Sequence, residues 1–154
     1  EFGLRSGTEN VASIVGFGVA AELAASNLSG YGSHVSVLRD KIEAQLIRIG
    51  AVIHGLGSPR LSNTSYFSVP GIQGETLVME LNKLGFAVAS GAACSSHGSG
   101  SSVTLKAMAV PEELVHGAVR LSLGMDNVEE ECDGFSAALE LIVSRLKELV
   151  SLTV

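Results

Sequence analysis

A single cysteine, Cys94, sits inside Ser90-Gly91-Ala92-Ala93-Cys94-Ser95-Ser96-His97-Gly98-Ser99-Gly100-Ser101-Ser102. Small neighbours leave its thiol uncovered, and the glycines at 98 and 100 admit backbone conformations that other residues avoid. A structural cysteine is ordinarily buried among large apolar residues, and this one is not so flanked. The stretch suits a thiol that must be reached, or must travel, as a nucleophile does. It equally suits a Ser/Gly surface loop that contains a cysteine, and by itself it leaves both readings standing. His97 would favour the thiolate if charged and close, although a loop histidine without a role is the plainer reading. Cys132 lies among Glu129, Glu130, Glu131 and Asp133. Those acids disfavour a thiolate, so Cys132 reads as unreactive.

Arg120 lies within Val119-Arg120-Leu121-Ser122-Leu123. Strand alternation puts Val119, Leu121 and Leu123 on one face and Arg120 on the other, with Ala118 and Ser122. A guanidinium between small residues has room beside it for a bidentate grip on a carboxylate or phosphate. A solvent-facing or salt-bridged strand arginine is the alternative. Thr8, with Arg5 nearby, stands where a first helix begins. It is a candidate N-cap and, by the same free N–H groups and helix dipole, a candidate anion contact. His34, His54, His97 and His116 show no metal-ligand spacing with one another or with the cysteines.

The elements that must position these groups follow from periodicity. An apolar helix is expected to about residue 28, buried on most sides, with Gly16 and Gly18 allowing close packing and Ser29-Gly30 breaking it. A second helix over 32–49 carries Val35, Leu38, Ile42, Leu46 and Ile49 at helical spacing and ends at Gly50. Strands are expected at 51–54, 64–69, 86–89 and 118–123. Between them lie a helix over 74–84 with Leu77, Val78, Leu81 and Leu84 inward, and a short helix at 103–108. A further short helix opens at Pro111, a tolerated first-turn position. Asn127-Val128-Glu129-Glu130 reads as a capping box for a last helix to about 150, packed through Phe135, Leu139, Ile142, Val143 and Leu146. The third strand delivers the chain directly into the Cys94 stretch.

At 154 residues and 46% hydrophobic content, the chain is long and apolar enough for one folded α/β domain of short sheet and packed helices in two layers. A net charge of -6 without a basic cluster argues against nucleic acid. Two cysteines make no disulfide framework, which fits a reducing compartment. The apolar stretch 11–28 is interrupted by Gly16, Gly18, Glu22, Ser26 and Asn27, and reads as a core helix rather than a membrane span.

Several motifs follow one another in order: Arg5-Ser6-Gly7-Thr8-Glu9-Asn10, Asn63-Thr64, the Gly74-Glu75 helix, Ser90-Gly91-Ala92-Ala93-Cys94-Ser95-Ser96, Val103-Thr104-Leu105-Lys106-Ala107-Met108 and Val119-Arg120-Leu121-Ser122-Leu123-Gly124. Together they resemble the C-terminal part of the NifS/IscS-type cysteine desulfurases, fold type I pyridoxal-phosphate (PLP) enzymes of the class V aminotransferase family. The resemblance runs over essentially the whole chain. It implies that residues 1–30 end the large-domain segment and its connecting helix, and that 31–154 form the C-terminal small domain. It also implies an opening inside the family's sequence, with a larger N-terminal portion elsewhere.

The resemblance further implies roles. Cys94 matches the cysteine that takes sulfur from L-cysteine as a persulfide, releasing L-alanine. Arg120 matches the arginine that holds the substrate carboxylate, and Thr8 the threonine that reaches the PLP phosphate of the partner subunit in a homodimer. PLP is the electron sink of that chemistry. The expected partners are L-cysteine and a sulfur-acceptor or scaffold protein, as in iron-sulfur cluster assembly, in the cytoplasm or an organellar matrix. Lys41, Lys83, Lys106 and Lys147 match no cofactor-lysine motif, so this stretch alone is expected to be inactive. Selenocysteine lyase, which shares the scaffold, and a binding or scaffold module without activity are the alternatives.

Overall fold

A computed structural model of the chain describes residues 3, 6–91 and 102–151, the last two by backbone alone. Cys94 and His97 lie outside the described residues, as does Arg5.

The first helix, α1, runs unbroken over Val11–Arg48. The break expected at Ser29-Gly30 is absent. A single helical glycine costs only about 1 kcal/mol relative to alanine, and Ser33 Oγ donates to the Ser29 carbonyl across that turn at 3.1 Å. Nor is Thr8 the N-cap: Asn10 takes that place, its Oδ1 accepting from the Ser13 N–H at 3.1 Å. The two halves of α1 differ. The C-terminal half buries Val35, Leu38, Ile42 and Leu46, as its spacing predicts. The N-terminal half is not buried at all. Val11, Ile14, Val15, Phe17, Val19, Leu23 and Leu28 are 51–78% exposed, and nothing approaches Gly16 or Gly18. By length and composition α1 would also cross a bilayer.

The sheet consists of β1 (Val52–Ile53), β2 (Thr64–Ser68), β3 (Ala89–Ser90) and β4 (Ala118–Ser122), in the order β1-β2-β4-β3 with every pair antiparallel. Its core face carries Phe67, Val119 and Leu121. These pack with the C-terminal half of α1, with α2 (Gly74–Lys83) through Leu77 and Leu81, and with α5 (Glu129–Ser151) through Phe135, Leu139, Ile142 and Val143. Leu84, expected inward, is 51% exposed, because α2 ends at Lys83 and the chain turns at Gly85 with φ 88°. The other face is only partly covered. There α3 (Val103–Ala107) and α4 (Glu112–His116) bury Leu105 and Val115 against Ala118.

Three further expectations shift. Residues 86–88 stand apart from the sheet, and β3 begins only at Ala89. The start of α5 is capped one residue later than anticipated: Glu131, not Glu130, accepts from the Val128 N–H at 3.2 Å and from Asn127 Nδ2 at 2.9 Å. Pro111 is the N-cap of α4 rather than its first helical residue.

Candidate functional site

Of the predicted site residues, the open sheet face carries Arg120. Arg120 is on that face, exposed, between buried Ala118 and exposed Ser122, as alternation requires. Its direct cross-strand partners are Tyr66 on β2 and Ala89 on β3. Ser90 follows Ala89, the Gly91 N–H donates to the Ala118 carbonyl at 2.8 Å, and the Cys94 stretch continues from there. The strand register therefore holds the described chain, up to Gly91, against the strand that carries Arg120.

Beside this face lies a polar relay that the sequence did not reveal. Buried His54 bonds through Nε2 to Ser68 Oγ at 2.8 Å, and that hydroxyl donates to the Leu114 carbonyl at 2.6 Å. Since the Ser68 proton is committed to Leu114, His54 donates from Nε2. Burial holds the imidazole below its ordinary pKa. The His54 ring meets Tyr66 edge to face, centroids 5.6 Å apart. Tyr66 was also missed, although alternation through Thr64-Ser65-Tyr66-Phe67-Ser68 opposes it to the core residue Phe67 and could have marked it.

Thr8 stands before α1, two residues ahead of the Asn10 cap. The first turn of α1 carries no acidic side chain, so the helix dipole there is unopposed within that turn and suits an anion. Thr8 and Arg120 are thus placed on different elements; the described residues do not bring them into contact.

Cys132 behaves as its neighbours suggest, for a different chief reason. It is 2% exposed on α5. Burial pushes its thiol pKa up; Lys41 opposes this, while Glu131, Asp133 and Glu129 reinforce it more weakly. It borders a cleft of about 270 Å³ where residues 85–88 part from β4, lined also by Ile42, Leu121 and Phe135. That cleft belongs to the core face, away from Arg120. His34 Nε2 donates to the Asn127 carbonyl, and His116 contacts Glu112. No metal-binding cluster occurs among the described residues. The four lysines all lie on helices: Lys41 pairs with Glu129 and Asp133, Lys83 with Glu80 and Lys106 with Glu112, while Lys147 donates to the Ile49 carbonyl.

A family model described as aminotransferase class-V matches residues 2–135. This chain belongs to the class-V aminotransferase family. Within it, the chain is 40% identical over 151 residues to a cysteine desulfurase of Gluconacetobacter diazotrophicus, covering 97% of this chain and 38% of that protein. It is equally 40% identical over 151 residues to the cysteine desulfurase NifS of Azotobacter vinelandii, with the same coverage. A solved NifS-like protein superposes with a TM-score of 0.79 at 39% identity, over 92% of this chain and 36% of that one. The NifS-like protein from Rickettsia africae does so with a TM-score of 0.79 at 28% identity, over 92% and 37%. The class-V chain thus spans about 38% of the length of the curated relatives it matches.

Proposed function

We propose that this chain is the C-terminal part of a PLP-dependent cysteine desulfurase, with residues 1–30 ending the large-domain segment and connecting helix and 31–154 forming the small domain. The observation that carries the reading is the pairing of Ala89 with Arg120. It sets an uncrowded guanidinium beside the point where the chain turns into the Cys94 stretch. The similarity to cysteine desulfurases supports it. The exposed apolar half of α1 supports it too: an apolar face of that extent is stable in water only when something covers it, and a large domain supplied by the rest of the protein is the cover this reading provides.

In this reading Arg120 takes the substrate carboxylate with its planar fork and orients the sulfur toward the thiol. Cys94 acts as thiolate. An S–S bond forms between Cys94 and the substrate sulfur, the substrate C–S bond breaks, and the carbon fragment takes up a proton and leaves as L-alanine. PLP, when bound, supplies the electron sink that makes the substrate sulfur open to attack. Thr8, before a helix start that suits an anion, would hold the phosphate of the cofactor in the partner subunit of a homodimer. The four lysines lie on helices and match no cofactor-lysine motif, so in this reading the lysine that anchors PLP belongs to the rest of the protein. The persulfide then passes to a sulfur-acceptor protein.

The test is the full-length protein loaded with PLP and given L-cysteine. L-alanine should appear in step with persulfide on Cys94, identified by mass spectrometry. Cys94→Ala should abolish sulfide release and leave the cofactor's visible absorbance intact. Turnover of selenocysteine without cysteine turnover would move the assignment to selenocysteine lyase, and no turnover of either would remove it.

A further inference from the structure

Residues 85–88 are held away from the sheet by contacts of their own. Gly85 turns the chain with φ 88°. The Phe86 N–H donates to the Leu81 carbonyl of α2 at 3.0 Å. The Phe86 ring meets Phe135 of α5 edge to face, centroids 5.6 Å apart. Pairing with β4 resumes only at Ala89, opposite Arg120. Two residues earlier on that register Ala87 would face Ser122, and that pair does not form. The Gly91 N–H donates to Ala118 on the β3 side of β4, and the Leu123 N–H to Asn63 on the β2 side. Antiparallel alternation therefore turns the backbone N–H and carbonyl of Ser122 toward residues 85–88. Among the described residues they have no partner there, and such groups need water or a ligand.

The space between is the cleft of about 270 Å³. Its apolar walls include Ile42, Phe86, Leu121 and Phe135. A cavity of about 150 Å³ takes benzene, so this one admits a benzene-sized ring with a short polar arm. Glu131 is the one charged residue that lines it among the described residues. Its Oε2 accepts from Asn127 Nδ2 and the Val128 N–H, and these bonds hold the carboxyl below its ordinary pKa, so it is ionised at neutral pH. Its Oε1 accepts no bond among the described residues. Lys41, whose charge reaches the neighbouring Cys132, is held by Glu129 and Asp133. An apolar cleft whose own charge is a carboxylate selects a cation and repels an anion, and the net charge of -6 acts in the same sense.

We propose that this cleft binds a small arylalkyl ammonium, its ring between Phe86, Leu121 and Phe135 and its N–H donating to the free oxygen of Glu131. The test is ¹⁹F NMR titration of the full-length protein with 4-fluoro-N,N-dimethylbenzylamine, a tertiary ammonium that does not condense with an aldehyde cofactor. 4-Fluorophenylacetate, an anion of similar size, is the matched probe. The ammonium should bind with a Kd of about 1 mM, and the carboxylate at least about tenfold more weakly. Glu131→Gln keeps an oxygen to accept the Val128 N–H and should weaken the ammonium about threefold to fivefold. Ala87 lines the cleft, is exposed and lies outside every strand, so Ala87→Phe should fold, block the cleft and abolish binding. Equal binding of both probes, an unchanged Kd in Glu131→Gln, or binding that survives Ala87→Phe would overturn the proposal. So would no binding of the ammonium, which would mean that another segment of the complete protein fills the cleft. None of these readouts uses turnover, so they stand apart from the desulfurase test.

Discussion

Arg60 and Glu43 meet through two hydrogen bonds, Nη1 to Oε1 at 2.7 Å and Nη2 to Oε2 at 2.8 Å, which tie the loop between β1 and β2 to the C-terminal part of α1. The Glu43 side chain is 6% exposed and that of Arg60 18%. Removing one partner of such a pair leaves a charge buried without compensation, which costs more than the pair itself contributes. Arg60→Ala should therefore lower unfolding free energy by about 3 kcal/mol, read from urea denaturation. Arg60→Met combined with Glu43→Leu should recover most of that loss. A double variant as unstable as the single would mean the guanidinium acts through packing alone.

The same pair and His54 set the acid limb of stability. Burial by itself would raise the Glu43 pKa, but the two hydrogen bonds from Arg60 and the charges of Arg60 and Arg39 outweigh it and leave the carboxyl below its ordinary value. Its contribution is present above the unfolded carboxylate value and is lost as pH falls through the lower folded one. His54 titrates earlier. Its folded pKa is depressed, so as pH drops below the ordinary histidine value the unfolded chain takes a proton that the folded chain refuses, and stability falls. Denaturation midpoints should decline in two stages, first below about pH 6.5 and again in the carboxylate range. His54→Gln should flatten the first stage only. An unchanged first stage in that variant would assign it to another group.

Cys132 supplies a control for thiol chemistry. Its burial and raised pKa keep it protonated and shielded at neutral pH. Iodoacetamide at about pH 7.5 should leave Cys132 unlabelled in the folded protein and label it fully in urea, as peptide mapping would record. Rapid native labelling of Cys132 would show that the cleft beside Phe86 and Phe135 opens in solution.

Much of the fold was legible because burial writes its period into sequence. Val35, Leu38, Ile42 and Leu46 repeat at helical spacing, and the alternation through 118–123 placed Arg120 on the correct face. Three features were not legible. The uninterrupted α1 depends on tertiary support for its second half, which carries the helix through Ser29-Gly30 against a weak local signal. An all-round apolar helix implies that something covers it, but hydropathy does not say whether that cover lies within the same 154 residues. Tyr66 and Arg60 acquire their contacts from register and loop closure, which bring together residues far apart in the chain, and no local pattern encodes that.

The uncovered half of α1 makes its own prediction. Phe17 is 78% exposed and Leu28 69%. If the rest of a longer protein covers them, Phe17→Asp should destabilise the full-length protein by about 2–3 kcal/mol, while raising the solubility of residues 1–154 expressed alone. Unaltered stability of the full-length variant would mean that this helix face stays uncovered there or meets a different partner.

Two glycine substitutions should move stability in opposite directions. At Gly74 a Cβ would stand 2.6 Å from the Ala118 carbonyl oxygen and 3.1 Å from the Gly117 carbonyl carbon. Both are backbone atoms, one in β4 and one in the residue that leads into it, so neither yields without shifting β4. Gly74→Ala should cost about 1–3 kcal/mol by overpacking, despite the higher helix propensity of alanine. Gly30 sits within α1, and a methyl group added there would have no neighbour within 4 Å. Helix propensity then acts alone, and Gly30→Ala should add about 0.5–1 kcal/mol. Thermal denaturation of the two variants side by side reads both signs. A loss at Gly30 would mean that the backbone of this turn lies against a neighbour in solution, and would locate the cover of α1 there.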